Sequence, residues 1–198
     1  SMNIHDLNGL EKLTSLTKLD VSDTEISDFG KLEEMTVLTH LNLTRTGMDD
    51  YSPIAEMTGL VQLKMDGNQG TELDISKLAD LQYLSCKDGS LTSMKATGLS
   101  KLEELWLENN ELTTLDLTGT GNLKSLAVQN NNLVSLDVRP CTKLEVLQAD
   151  NNELESLGVS GLGNLMQLDC QNNKLAAIDV SGLTALQQLN AYGNELTS

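Results

Sequence analysis

Across 198 residues the chain carries 29 acidic and 13 basic side chains, a formal net charge of −16. Phosphate binding needs clustered Lys and Arg, so this balance argues against nucleic acid and anionic membranes as partners; solubility of a long surface, or a cationic partner, accounts for it instead. One Phe, one Trp and 3% aromatics give too little bulk for a conventional globular core, and no apolar run reaches membrane-spanning length.

Taken in order, the chain is a series of copies. The opening segment, Ile4 to Leu13, carries I-x-D-L-x-x-L-x-x-L spacing, the second half of a repeat. That spacing returns at Ile26, Asp28, Phe29, Leu32 and Met35, and more loosely at Met48, Tyr51, Ile54 and Met57. Complete units start at Leu16, Leu38, Leu60, Leu81, Leu102, Leu123, Leu144 and Leu165, and an incomplete one at Leu186. The first two are 22 residues long and the next six are 21. This organisation predicts one repeat domain over 1–198: a partial repeat at 4–15, long repeats at 16–59, shorter ones at 60–185 and a partial repeat at 186–198.

The clearest unit opens with LEELWLENNEL, with Leu102, Leu105, Leu107, Asn110 and Leu112 at offsets 0, 3, 5, 8 and 10. Alternation of apolar and polar residues in L-x-x-L-x-L is the pattern of a short strand with one buried face. Copies of one strand, each too small to bury its own apolar edge, should stack as a parallel sheet.

At offset 8 stand Asn68, Asn110, Asn131, Asn152, Asn173 and Asn194. Where the chain leaves the strand, backbone N–H and C=O groups enter the interior and need partners, and an amide offers both a donor and an acceptor. These residues therefore read as a structural ladder. Thr24 and Thr46 can still hydrogen-bond at this position. Gly89 cannot, so water or a shifted loop is expected to satisfy that turn.

The return segments change type along the chain. F-G-K-L-E-E-M and Y-S-P-I-A-E-M predict 3₁₀ or one-turn α structure, with Pro53 suited to a helix start. From Leu73 onward, L-D-I-S-type returns predict extended segments with Leu115, Leu117, Ile178 and Val180 pointing inward. Asp74, Asp116, Asp137 and Asp179 should bond nearby backbone N–H groups. The spacing of a calcium loop is missing, and no metal or cofactor site is expected. Gly70 replaces an apolar residue at offset 10, which predicts a local bulge or looser loop.

Cys86 and Cys170 replace Leu at offset 5 and should be buried; at four repeats apart they are about 19 Å from one another, too far for a disulfide. Cys141 falls on the opposite side of the coil and reads as structural too.

These residues carry a resemblance. L-x-x-L-x-L-x-x-N-x-L, from Leu7 to Thr197, resembles the leucine-rich repeat. The 22-residue units resemble those of internalins, and L-D-C-Q-N-N-K-L resembles the cysteine-bearing repeats of certain internalins and related bacterial surface proteins, in which the cysteines stack. Here only Cys86 and Cys170 keep that position, so the ladder is broken. The resemblance implies a curved right-handed solenoid, with a parallel β-sheet on its concave face and short 3₁₀ or extended segments on its convex face. It also implies a secreted or wall-anchored protein that binds a host or bacterial surface ligand. Internalins usually carry a helical cap before the repeats and an immunoglobulin-like module after them. This stretch shows neither, which implies a piece of a longer protein or an oligomer paired through uncapped ends.

Enzymatic constellations are missing. His5 and His40 fall on different sides of the coil, and no C-x-x-C, phosphate loop or H-E-x-x-H occurs. The outward residues at offsets 2, 4 and 6 are the better candidates. Among them Tyr83, Trp106, Glu104, Glu108, Lys64, Lys87, Gln129, Asp150 and Tyr192 are the candidate ligand-binding residues, centred on the sole Trp. Exposed aromatics in a polar surround resemble a binding hot spot. Trp106 packing over the Lys87 stem and Tyr83 ring is the plain alternative. The expected function is non-catalytic protein recognition or adhesion; the alternatives are a structural spacer or a carbohydrate-binding surface around Tyr83 and Trp106.

Overall fold

The computed structural model describes residues 5–197, so Ile4, the first apolar position of the opening partial repeat, lies outside the described residues. Three-residue strands follow one another: β1 (Lys18–Asp20), β2 (His40–Asn42), β3 (Gln62–Lys64), β4 (Glu72–Asp74), β5 (Tyr83–Ser85), β6 (Ser93–Lys95) and β7 (Glu104–Trp106). Then come β8 (Ser125–Ala127), β9 (Ser135–Asp137), β10 (Val146–Gln148), β11 (Ser156–Gly158), β12 (Gln167–Asp169) and β13 (Gln188–Asn190). Nine of them form one parallel sheet, in the order β1-β2-β3-β5-β7-β8-β10-β12-β13. The pairing is in phase throughout, so Leu19, Leu41, Leu63, Leu84, Leu105, Leu126, Leu147, Leu168 and Leu189 lie level with one another.

The other side of the coil holds the returns. Leu10–Lys12, Gly30–Glu34 and Ser52–Glu56 are 3₁₀ helices, the last with Pro53 in its first turn. Later returns are extended, and two pairs form short parallel ladders, β4 with β6 and β9 with β11. The return through Leu115 and Leu117 stays unpaired between them. Helical returns need more room per turn than strands about 4.8 Å apart, so the sheet takes the concave side.

The core is a continuous stack. Leu63, Leu84, Leu105, Leu147 and Leu168 are fully buried, as are Leu60, Leu81, Leu102, Leu123, Leu144 and Leu165. Burial weakens at the C-terminal turn. Val180, expected to point inward, is 45% exposed, and Leu189 is 47% exposed, with no further turn among the described residues to cover them.

The asparagine ladder is present. Asn131 Nδ2 donates to Leu107 O at 2.9 Å and Val128 O at 3.1 Å, while its Oδ1 accepts the Leu112 N–H at 3.0 Å. Asn110, Asn152, Asn173 and Asn194 repeat this pattern one turn apart. Asn68 bridges Leu43 O and Met65 O in the same way. Thr24 and Thr46 donate to the carbonyls of Val21 and Leu43 at 2.5 and 2.9 Å.

At Gly89 neighbouring asparagines cover both carbonyls that an amide there would serve. Asn68 already serves Met65 O, and Asn110 serves Cys86 O at 2.8 Å. The group left over is the Gly70 N–H, and the Tyr51 hydroxyl lies beside it and beside the Cys86 thiol. Tyr51 is buried. The expected bulge at Gly70 is corrected: a Cβ there would lie 2.6 Å from the Tyr51 ring, so one aromatic side chain fills the volume of the missing apolar residue.

All three cysteines are free and buried. Cys141 packs in the return column beside Thr120, which occupies the same repeat position one turn earlier; Oγ1 and Sγ are 3.3 Å apart, and the hydroxyl also donates to Leu117 O at 2.7 Å. The aspartate row behaves as its sequence suggests. Asp74, Asp116, Asp137 and Asp179 each accept the N–H two residues on, and each is held below the usual carboxylate range, chiefly by the side chain of that residue.

Candidate ligand-binding surface

Strand alternation sends two side chains per turn outward from the sheet, and the second residue past each strand adds a third column. In the first, Gln62, Tyr83, Glu104 and Ser125 are level; in the second, Lys64, Ser85, Trp106 and Ala127. Backbone bonds continue beyond the strands, from Asp88 to Glu108, Asn109 to Gln129, Asn130 to Asp150 and Asn151 to Gln171. That keeps Lys87, Glu108, Gln129, Asp150 and Gln171 in phase as the third column.

Trp106 lies on β7, the fifth strand of nine. Its indole N–H donates to Glu104 Oε2 at 3.2 Å. Its level neighbours are Ser85 and Ala127, and both are buried. A small side chain on an open sheet face is shielded only if a larger neighbour leans over it, and the indole is the largest group there. Tyr83 is diagonal to Trp106 and level with Glu104. The Lys64 ammonium sits 5.7 Å from the Tyr83 ring centre, within cation–π range.

The structure thus brings Lys64, Tyr83, Lys87, Glu104, Trp106, Glu108 and Gln129 onto adjacent strands. Lys87 and Glu108 form an ion pair at 3.5 Å, so the basic and acidic zones meet there. Asp66 accepts Ser85 Oγ at 2.5 Å and the Lys87 N–H at 3.1 Å. Asp150 stands two turns beyond Glu108; burial, with Asp169 beside it, raises its pKa above the ordinary carboxylate value. Asp169, itself buried, accepts Gln167 Nε2 at 2.6 Å and Asn190 Nδ2 at 2.7 Å. Tyr192 is not brought close. It is 67% exposed on the last turn, about 19 Å along the stack from Trp106.

Three acceptor atoms in the third column, Glu108 Oε2, Gln129 Oε1 and Gln171 Oε1, are covered yet have no donor. Beside them runs a feature missing from the list of candidate residues. Asp88, Asn109, Asn130, Asn151 and Asn172 all hold left-handed backbone, a conformation that short polar side chains tolerate. Asn109 donates to Asp88 at 2.6 Å, Asn130 to Asn109 at 2.8 Å and Asn172 to Asn151 at 2.8 Å. This second, exposed amide ladder was readable in the Asn-Asn doublets, whose second member forms the buried one.

Among the described residues, no group of three or more His, Cys, Asp or Glu is placed to hold a metal ion, and no helix is long and apolar enough to cross a membrane. The cysteine thiols are chemically quiet: burial pushes Cys86 up to about 12 and Cys170 up to about 11.

Residues 101–123 match the family described as Leucine Rich Repeat. No curated protein matches the chain. Among solved structures, the functional domain of InlJ from Listeria monocytogenes, which includes a cysteine ladder, is similar at 34% identity and TM-score 0.86 over 99% of this chain. TLR13 in its complex with ssRNA13 is similar at 27% identity and TM-score 0.77 over 99% of this chain. An internalin, inlF, from Listeria monocytogenes is similar at 25% identity and TM-score 0.65 over 96% of it. The chain spans 43%, 31% and 65% of those three chains. Stacked in-phase turns, an internal asparagine ladder and the family match mark this chain as a leucine-rich repeat solenoid that resembles the internalin-like bacterial subfamily.

Proposed function

We propose that the chain is a non-catalytic protein-recognition module of a bacterial surface or secreted protein, and that its concave face is the docking platform. The observation that carries this reading is the setting of Trp106, an aromatic ring on the outward face beside Glu104, with unsatisfied acceptors in the adjoining column. Large rings that exclude water from nearby polar groups concentrate binding energy. Likeness to the functional domain of InlJ and to an internalin supports the cellular setting. TLR13 is complexed with RNA, but a net charge of −16 favours a protein ligand for this chain.

The face is also polar along its length. Its first four turns carry Lys18, Lys64 and Lys87 beside Asp20 and Asp66; from Glu104 onward its charged residues are Glu104, Glu108, Asp150 and Asp169. Such a gradient orients a partner as it docks.

Trp106→Ala tests the reading, with thermal melting and binding to whole bacterial and host cells measured together. Lost cell binding with a retained fold supports recognition. Lost stability with unchanged cell binding would favour a spacer, the reading that the shielded Ser85 and Ala127 support. A glycan-array signal abolished by the same change would favour carbohydrate binding through Trp106 and the diagonal Tyr83.

A further inference from the structure

At the N-terminal end of the sheet, β1, β2 and β3 line an open cavity of about 280 Å³ on the outward face, with Leu19 and Leu41 among its lining residues. Lys18, His40 and Gln62 are level on one side; Asp20, Asn42 and Lys64 are level on the other. The two lysines therefore sit two strands apart, about 10 Å between backbones, with His40 between them. Flexible four-carbon stems bring both ammonium groups within reach of one small anion.

The pairing of the other cations singles this place out. Nine of the 13 Lys and Arg residues form ion pairs among the described residues. In a chain with 29 carboxylates the exceptions are notable: Lys12, Lys18, Lys64 and Lys143. Two of those four line this one cavity. Its own carboxylate does not neutralise them by contact. Asp20 Oδ1 accepts the Ser22 hydroxyl at 2.7 Å and the Ser22 N–H at 3.0 Å, and Oδ2 accepts Asn42 Nδ2 at 3.0 Å. Both oxygens are thus turned to neighbours, which leaves the Lys18 ammonium and the Gln62 amide as free donors and the Lys64 ammonium without a carboxylate, its one neighbour of note being the Tyr83 ring 5.7 Å away.

We infer that the cavity between Lys18, His40 and Lys64 is an anion subsite that takes a carboxylate of the protein partner, either an acidic side chain or a chain terminus. The inference rests on the concave face being the recognition face, and it adds the partner's polarity: an acidic element docks over β1–β3, while its cationic part lies toward Glu104 and Asp150. A carboxylate there accepts from both lysines at once, with the indole-bearing turn two strands past β3.

Amide-resolved NMR titration at pH 7 tests it, with a blocked triglutamate peptide, its triglutamine counterpart and inorganic phosphate as probes. Triglutamate should give saturable shifts confined to residues 18–20, 40–42 and 62–64, and triglutamine none. Lys18→Gln/Lys64→Gln should weaken the triglutamate affinity at least tenfold, while Lys12→Gln/Lys143→Gln leaves it unchanged. Scattered or non-saturating shifts, equal weakening by both double variants, or phosphate binding as tightly as the peptide would each overturn the inference. The spectra themselves report whether each variant folds. No cell-surface partner enters the titration, so its failure and a failure of cell binding are separate results.

Discussion

The ring of Tyr51 stands where a side chain on Gly70 would have to be: a Cβ at Gly70 would lie 2.6 Å from it. The same tyrosine brings its hydroxyl to the one backbone N–H that the break at Gly89 leaves without an asparagine. One aromatic residue thus repairs two irregularities in adjacent repeats. Tyr51→Phe keeps the ring but removes the hydroxyl beside the Gly70 N–H, and should destabilise by about 1 kcal/mol. Gly70→Ala should destabilise by a similar or larger margin because the ring must move. Urea unfolding of both variants checks the pair; a neutral Gly70→Ala would show that the ring does not fill this space.

Asn131→Ala and Asn109→Gly separate the two amide ladders. The first deprives the buried Leu112 N–H of its acceptor, since neighbouring asparagines cover only the carbonyls; the expected loss is about 1–3 kcal/mol. The second removes exposed side-chain bonds at a left-handed position that glycine adopts freely, so its effect should stay within about 0.5 kcal/mol. Equal losses in denaturant melts would contradict the division into a structural and a surface ladder.

Cys86 should resist a thiol reagent in the native protein and react once denaturant opens the coil. Its raised pKa also sets a direction for pH. Below the ordinary value of 9.0 the thiol is protonated in both folded and unfolded chains and subtracts nothing. Above it the unfolded chain ionises while the buried thiol does not, so stability falls as pH rises toward about 12. Cys86→Ala should flatten that part of the pH–stability curve.

Asp150 predicts the opposite experiment, one of gain. Burial raises its pKa, so charging it at neutral pH opposes folding, whereas below 3.8 the protonated form is carried without that penalty. Asp150→Asn should raise the melting temperature at pH 7, and the advantage should disappear as the buffer is taken below the ordinary carboxylate range. If Asp150 is held charged by a bound cationic ligand, the same substitution should weaken binding.

Much of this was legible in one dimension. The offsets of Leu102, Leu105, Leu107 and Asn110 determine which side chains face inward, because a strand period of two and a fixed repeat length leave no freedom in register. What linear pattern could not give was contact across turns between unlike positions. Tyr51 occupies a return segment, Gly70 an inner turn and Gly89 a ladder position, and nothing in their spacing couples them. The cavity near Lys18 is similar: register makes Lys18, His40 and Gln62 neighbours, but that Lys18 and Lys64 find no carboxylate while Lys87, Lys101 and Lys124 do depends on side-chain reach. Trp106 falls between the two cases. Its outward direction follows from alternation, whereas its cover of Ser85 and Ala127 needed the packed face.

Each turn of the coil touches only the turns before and after it, so opening proceeds inward from the ends, beginning with elements such as β13, whose Leu189 already meets water. Hydrogen exchange should therefore be fastest at Gln188–Asn190 and slow progressively toward the middle of the sheet. The slowest amides should lie around β7. Trp106 stands on a strand covered by turns on both sides, so a ligand seated on it would meet an ordered surface even where an outer turn frays.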